Sequence, residues 1–205
     1  MKKKTKKEVY DRYLYENKYW SKGCNYVLGI DEAGRGSWAG PISVAGVVLP
    51  VGYKNDEIND SKLLSAAKRQ KLFDVIIKDA VWYQITFVPA VDVDKYNPKP
   101  DVALIDAEKI QNCKIKTESI IKGDQKSISI AAASILAKVS RDLLMCEYDK
   151  KYPEYEFAKH KGYGTLLHLK KIRKYGPIEK FHRFSYNSIK EINKNANFEE
   201  RIHSK

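Results

Sequence analysis

Acidic residues stand at four places in this sequence where chemistry could use them. Asp31 and Glu32 close an apolar run, Tyr26-Val27-Leu28-Gly29-Ile30, and lead straight into Ala33-Gly34-Arg35-Gly36. Asp106 closes a second short apolar run, and Asp142 falls on a helical stripe with Ile128, Ala131, Ile135, Val139 and Cys146. An acid on a buried stripe is costly unless a core Arg or Lys, or a bound metal ion, offsets its charge. Carboxylates offer oxygen alone, which suits hard divalent cations, and crowded carboxylates without a cation force at least one to hold its proton above the usual range. Arg35 presents a planar cationic fork suited to phosphate, between glycines whose missing Cβ lets a ligand approach the backbone. The spacing is not that of a dinucleotide fingerprint or a P-loop, and a strand ending in a charged glycine turn is the plainer alternative.

The elements that must carry these acids follow from periodicity. Tyr26–Ile30 reads as a buried strand, and because side chains alternate across a strand, Asp31 and Glu32 can share a site only where that strand ends. Residues 41–50 read as a second, β-branched strand pairing antiparallel with the first, with Gly46 at a bulge. Ser65 caps a helix over residues 66–78 with Leu72, Phe73, Ile76 and Ile77 facing inward. Residues 81–88, 101–106 and 119–124 read as further strands, 89–100 as a proline-bearing loop, and 127–148 as the longest helix, interrupted by Pro153. Tyr10, Tyr13, Leu14 and Trp20 suggest a short helix laid on the domain, its aromatics serving as core contacts. Near the other end, His160-Lys161-Gly162-Tyr163-Gly164 is a basic glycine loop whose tyrosine either stacks on a sugar or base or closes the core. A basic amphipathic helix over 165–175 follows, stopped by Gly176-Pro177.

Lys and Arg exceed Asp and Glu by 38 − 26 = 12. Residues 158–205 carry twelve Lys/Arg against four Asp/Glu, so 8 of the 12 excess charges lie in the last quarter of the chain. That distribution suits a region gripping phosphates, or a solvated helical face. Three widely spaced cysteines, Cys24, Cys113 and Cys146, suggest reduced thiols rather than disulfides or a zinc site. The absence of an apolar stretch of about 18 residues, and of a signal-peptide pattern, points to a cytoplasmic protein without membrane contact.

These pieces together resemble ribonuclease HII, the type 2 ribonuclease H family, over roughly Val27 to Ser188. The resemblance is carried by GIDEAGRG (29–36), NDSKLLS (59–65), ALID (103–106), KGD (122–124), ISIAAASILAKVSRD (128–142) and HKGYGT (160–165), six blocks in the family's order. It implies an α/β fold, a ribonuclease H-like mixed sheet flanked by helices. The expected organisation is an N-terminal tail and helix (1–25), a catalytic core (26–157) and a basic helical extension for substrate binding (158–205). It implies a monomer that hydrolyses the RNA strand of RNA/DNA hybrids and incises DNA at embedded ribonucleotides, leaving 3′-OH and 5′-phosphate ends. Asp31, Glu32, Asp106 and Asp142 are matched to the family's four acids, holding two Mg²⁺ or Mn²⁺ ions. Gly34, Arg35 and Gly36 would read the ribose 2′-OH, Tyr163 would pack on the sugar, and Lys62, His160 and Lys161 would lie near phosphates.

Departures from the family pattern are Ser37 and Trp38 in place of proline and a small or apolar residue, Ala107 in place of glycine, and Tyr186 in place of phenylalanine. Two rival readings stay open: a non-catalytic hybrid-binding protein, and a ribonuclease HIII. The rival binder leaves the acids unexplained, and fewer than about 26 residues precede the first strand, too few for the extra domain of the latter.

Overall fold

A computed structural model describes residues 10–88, 102–106, 116–183, 186–189 and 191–192. Its strands are β1 (Val27–Ala33), β2 (Ile42–Val48), β3 (Trp82–Val88), β4 (Val102–Asp106) and β5 (Lys116–Ile120), in one mixed sheet of order β3-β2-β1-β4-β5. Its helices are α1 (Leu14–Trp20), α2 (Ala66–Asp79), α3 (Gly123–Lys126), α4 (Ile128–Lys151), α5 (Phe157–His160) and α6 (Leu166–Tyr175). The chain divides into two compact units. Among the described residues the first holds 10–32, 44–86, 102–106 and 116–137, and the second holds 33–43, 87–88, 138–183, 186–189 and 191–192.

Alternation along the central strands builds the first unit. β1 and β4 run parallel in a register that pairs Val27 with Val102 and Ile30 with Ile105. Val27, Val102 and Leu104 pack on one face with Tyr19, Ile120 and Ile130. Leu28, Ala103 and Ile105 pack on the other with Val48 and Trp82. Both faces are covered, which is why these strands are apolar throughout. Gly29 lies hard against α4: a Cβ there would fall 2.1 Å from the main-chain carbon of Ser129. Residues 128–137 of α4 are buried on every side, not along one stripe.

The start of α4 is held by Glu16. Its Oε1 accepts from the Ser127 hydroxyl at 2.5 Å and from the Ser129 N–H at 3.0 Å, satisfying donors that a helix N-terminus leaves open. Burial raises this carboxyl above the usual range, against those bonds. Here the structure corrects the expected inward face of α1. The helix begins only at Leu14, so its phase buries Glu16 and Tyr19 while Leu14 is 57% exposed.

Ser65 caps α2 as expected, accepting from the Lys68 N–H at 3.2 Å, with Leu72 and Ile76 fully buried. The expected strand over 119–124 is displaced. β5 ends at Ile120, Lys122 takes a left-handed conformation (φ 58°), and Gly123 opens the helical turn α3. β2 passes through Gly46 without interruption; a Cβ there would press on Leu28 and Trp82, 3.2 Å away. In the second unit, Ala39, Met145, Tyr155 and Phe157 form a core with Tyr148, Tyr152, Ile178 and Phe181 packed against it. Thr165 caps α6 through the His168 N–H at 3.2 Å. No helix among the described residues is long and apolar enough to cross a membrane. The expected loop over 89–100, Ala107 and Cys113 lie outside the described residues.

Candidate active site

Asp31 and Asp106 are brought together by the sheet itself. They stand one step past the paired Ile30 and Ile105, on the face that carries Val27, Val102 and Leu104. A third acid joins them from the turn after β5. Oxygen atoms of Asp31, Asp106 and Asp124 all lie within 4.8 Å of one another, and among the described residues no other group of acids, histidines or cysteines converges in this way. The Gly123 N–H donates to Asp106 Oδ1 at 2.7 Å, so the turn that supplies Asp124 also orients Asp106. The Glu32 N–H donates to Asp31 Oδ1 at 2.7 Å.

Electrostatics mark the cluster as crowded. Burial, then the charge of Glu32, and then those of Asp106 and Asp124 push Asp31 up to about 8. Burial, Asp60 and Asp106 push Asp124 up to about 6, against the opposing charge of Lys62. Asp31 is thus the crowded carboxylate raised furthest above the usual range. The Lys62 ammonium lies 3.5 Å from Asp124 Oδ2, its side chain 78% exposed while that of Asp124 is 5% exposed. Burial lowers Lys62, but Asp124, Asp60 and Asp31 outweigh it and raise it. Asp60, also buried, caps the turn bearing Lys62 and accepts from Gln125 at 3.2 Å.

Alternation along a strand lets Asp31 and Glu32 share a site only where that strand ends. β1 continues through Ala33, so the pleat does not relax there, and Glu32 acts on Asp31 through its charge without joining the three converging acids. Asp124 was missed as an acid of the site, although its Lys122-Gly123-Asp124 stretch was noted. Asp142 belongs to the second unit, where it is half-buried and pairs with Lys138 at 2.7 Å, one helical turn away. That pairing supplies the cation its position called for.

The second unit carries Gly34, Arg35 and Gly36. Gly34 has a φ of 98°, and a Cβ there would strike Arg141 Nε at 2.0 Å. Arg141 is fully buried and donates to three carbonyls: Pro41 at 3.0 Å, Ala39 at 3.0 Å and Lys161 at 2.8 Å. Strand-like bonds tie the same segments, the Trp38 N–H donating to the Gly162 carbonyl at 2.8 Å and Ser37 bridging to Tyr163. The Tyr163 ring lies 5.2 Å from the Arg141 guanidinium and 5.4 Å from the Lys138 ammonium. Trp38, one of the departures, packs against Gly164 and the His168 ring.

His160 is not available to a phosphate. It is buried, its Nδ1 accepts from the Gly162 N–H at 3.1 Å, and its Nε2 donates to the Tyr155 carbonyl at 2.8 Å. Its neighbours Tyr155 and Phe157 explain the burial, which lowers its pKa below the usual value. The Lys161 ammonium is turned to Cys146 Sγ at 2.8 Å and the Asp142 carbonyl at 3.3 Å.

Comparison with known proteins finds relatives over most of the chain. The model of the ribonuclease HII family matches residues 28–116 and 79–189. A ribonuclease HII of Caldanaerobacter subterraneus subsp. tengcongensis is 45% identical over 197 residues, covering 88% of this chain and 81% of that one. A ribonuclease HII of Mycoplasma mycoides subsp. mycoides SC is 48% identical over 187 residues, covering 82% and 90%. Among solved structures, ribonuclease H2 from Pyrococcus horikoshii OT3 superposes with a TM-score of 0.67 at 22% identity, over 83% of this chain and 98% of that one, a likeness of fold.

Proposed function

The chain belongs to the ribonuclease HII family and is a ribonuclease H endonuclease acting on RNA/DNA hybrids, and from that premise we propose which residues carry the reaction. Asp31, Glu32, Asp106 and Asp124 are the acids of the active site and would hold the divalent ions. The convergence of three carboxylate oxygens within 4.8 Å carries this reading. Crowded oxygen donors, with Asp31 pushed up by burial and by its acidic neighbours, fit hard divalent cations, Mg²⁺ or Mn²⁺. When bound, a pair of such ions lowers the pKa of water and stabilises charge on the phosphodiester.

The remaining work falls to the chain's own groups. Gly123 holds Asp106 in one orientation. Lys62, exposed at the edge of the acids, meets the substrate phosphate once Asp124 is otherwise neutralised. Gly34, Arg35 and Gly36 read the ribose, and Tyr163 packs on its sugar, so the enzyme also incises DNA 5′ of a single ribonucleotide and leaves 3′-OH and 5′-phosphate ends. Residues 158–205 supply much of the basic surface for the duplex, and the protein works as a monomer. His160 serves as a support for the Gly162 turn, and Asp142 as a helix ion pair.

The deciding experiment is nicking of a duplex containing one ribonucleotide with and without Mg²⁺. Expected is metal-dependent incision by the wild type, slowed about 100-fold or more in Asp124→Asn. Binding without cleavage would favour a hybrid-binding protein instead.

A further inference from the structure

Gly36 is a glycine without an internal reason to be one. Its φ is not in the left-handed region, and a Cβ built there would meet nothing within 4 Å among the described residues. Neither backbone strain nor packing therefore requires it, in contrast to Gly34. What the missing side chain leaves is open space beside a main-chain N–H.

The peptide plane that carries that N–H is held from behind. The Arg35 carbonyl, in the same plane and pointing the opposite way across a trans peptide, accepts two hydrogen bonds. One comes from Arg183 Nη1 at 2.7 Å and the other from the Tyr186 hydroxyl at 2.6 Å. Arg183 is itself fixed, because its second terminal nitrogen donates to the Gly40 carbonyl at 2.9 Å and its N–H donates to the Trp38 carbonyl at 2.7 Å. A carbonyl with both lone pairs taken cannot rotate without losing both bonds. A phenylalanine at position 186, which the family pattern has, could not make the second.

We propose that Arg183 and Tyr186 are positioning residues that aim the Gly36 N–H at the 2′-hydroxyl of the substrate, and that the Tyr186 hydroxyl is a specificity element peculiar to chains that carry tyrosine here. The inference rests on the reading that Gly34, Arg35 and Gly36 recognise the ribose. It goes beyond that reading by assigning two residues, remote in sequence, that set the direction of the recognising group. Removing the hydroxyl takes away one of these two bonds, so ribose recognition weakens while contacts to phosphate persist.

The test compares two duplexes of one sequence, one all DNA and one with a single ribonucleotide, by equilibrium binding in Ca²⁺, with Mg²⁺ kinetics alongside. Wild type is expected to prefer the ribonucleotide duplex. Tyr186→Phe is expected to reduce that preference by about three- to tenfold, the range of one net hydrogen bond, with affinity for all-DNA duplex and kcat unchanged and KM raised. Arg183→Lys, which keeps the charge but loses the fork, is expected to reduce it further. Equal weakening on both duplexes, or an unchanged preference in Tyr186→Phe, overturns the inference. A wild type with no preference overturns the ribose-reading assignment instead, and thermal unfolding of both variants separates either result from loss of fold.

Discussion

Asp31 and Asp106 lie side by side on two adjacent parallel strands, on the same face of the sheet, because the residues before them, Ile30 and Ile105, are paired. Hydrogen bonding between strands therefore forces two like charges together, and the cost appears at Asp31, pushed up to about 8 chiefly by burial and then by its acidic neighbours.

That cost has a sign that can be measured. A carboxyl raised from 3.8 to about 8 holds a proton in the folded state that the unfolded chain has released. The metal-free protein then keeps the full benefit below pH 4 and loses it as pH rises through 8, by about 1.4 kcal/mol per pH unit for each such proton. Between pH 6.5 and 8 the histidines contribute little, so chemical denaturation in EDTA should show stability falling over this interval. Added Mg²⁺ should reverse the fall.

Replacing acids one at a time should separate Asp124 from Asp142. Asp124→Asn removes one of three converging carboxylates and should lower kcat by about 100-fold or more, with a higher Mg²⁺ concentration needed for the residual activity. Asp142→Asn removes a half-exposed i,i+4 pair and should cost about 0.5 kcal/mol or less, with activity within a few-fold of wild type. Steady-state kinetics across a Mg²⁺ titration checks both, and comparable losses from the two variants would restore Asp142 to the active site.

His168 and His182 should stay neutral well into acid. Burial takes them down to about 3 and about 4, and they join through their Nε2 atoms at 3.1 Å. His182 Nδ1 accepts from the Ile178 N–H, which makes its Nε2 the donor and leaves the His168 Nδ1–H to donate to the Tyr163 carbonyl. With folded values below the ordinary 6.5, their contribution is complete above pH 6.5 and is lost as pH falls towards 4 and 3. Ring chemical shifts followed by NMR should remain flat from pH 8 to about 5, and movement centred at 6.5 would contradict the burial.

Arg141→Lys should destabilise the second unit by about 2–4 kcal/mol. A lysine cannot reach the Pro41, Ala39 and Lys161 carbonyls together, so buried acceptors lose their donors. Gly34→Ala should act in the same direction, through a Cβ in contact with that guanidinium and a left-handed φ. Thermal unfolding with near-ultraviolet circular dichroism reports both.

Sequence made the strands legible because apolar runs ending in an acid are local signals, and Asp31 and Asp106 were found that way. Ser65 and the inward Leu72 and Ile76 were legible for the same reason. Asp124 was not, since it sits in a turn that follows a left-handed lysine and has no periodicity, and its meeting with Asp106 depends on non-local strand order. For Asp142 a helical wheel shows the stripe but not the lysine one turn away that pairs with it. His160 looked like a phosphate ligand in a basic glycine loop, and only the packing of Tyr155 and Phe157 around it shows a structural group. Glu16 gave no signal at all, as a lone acid on a charged helix gives no hint that it closes the end of another.

The contact at Gly29 has a further consequence. Where strand meets helix main chain against main chain, the spacing is fixed by atoms that no substitution elsewhere can resize. Repacking larger or smaller side chains among Leu28, Val48, Ala103 and Ile105 on the far side of the sheet can then be used to tune thermal tolerance while the reach from Asp31 to its partners stays as it is. Durability and catalysis become separate design variables in this fold, joined at a single residue that has to remain glycine.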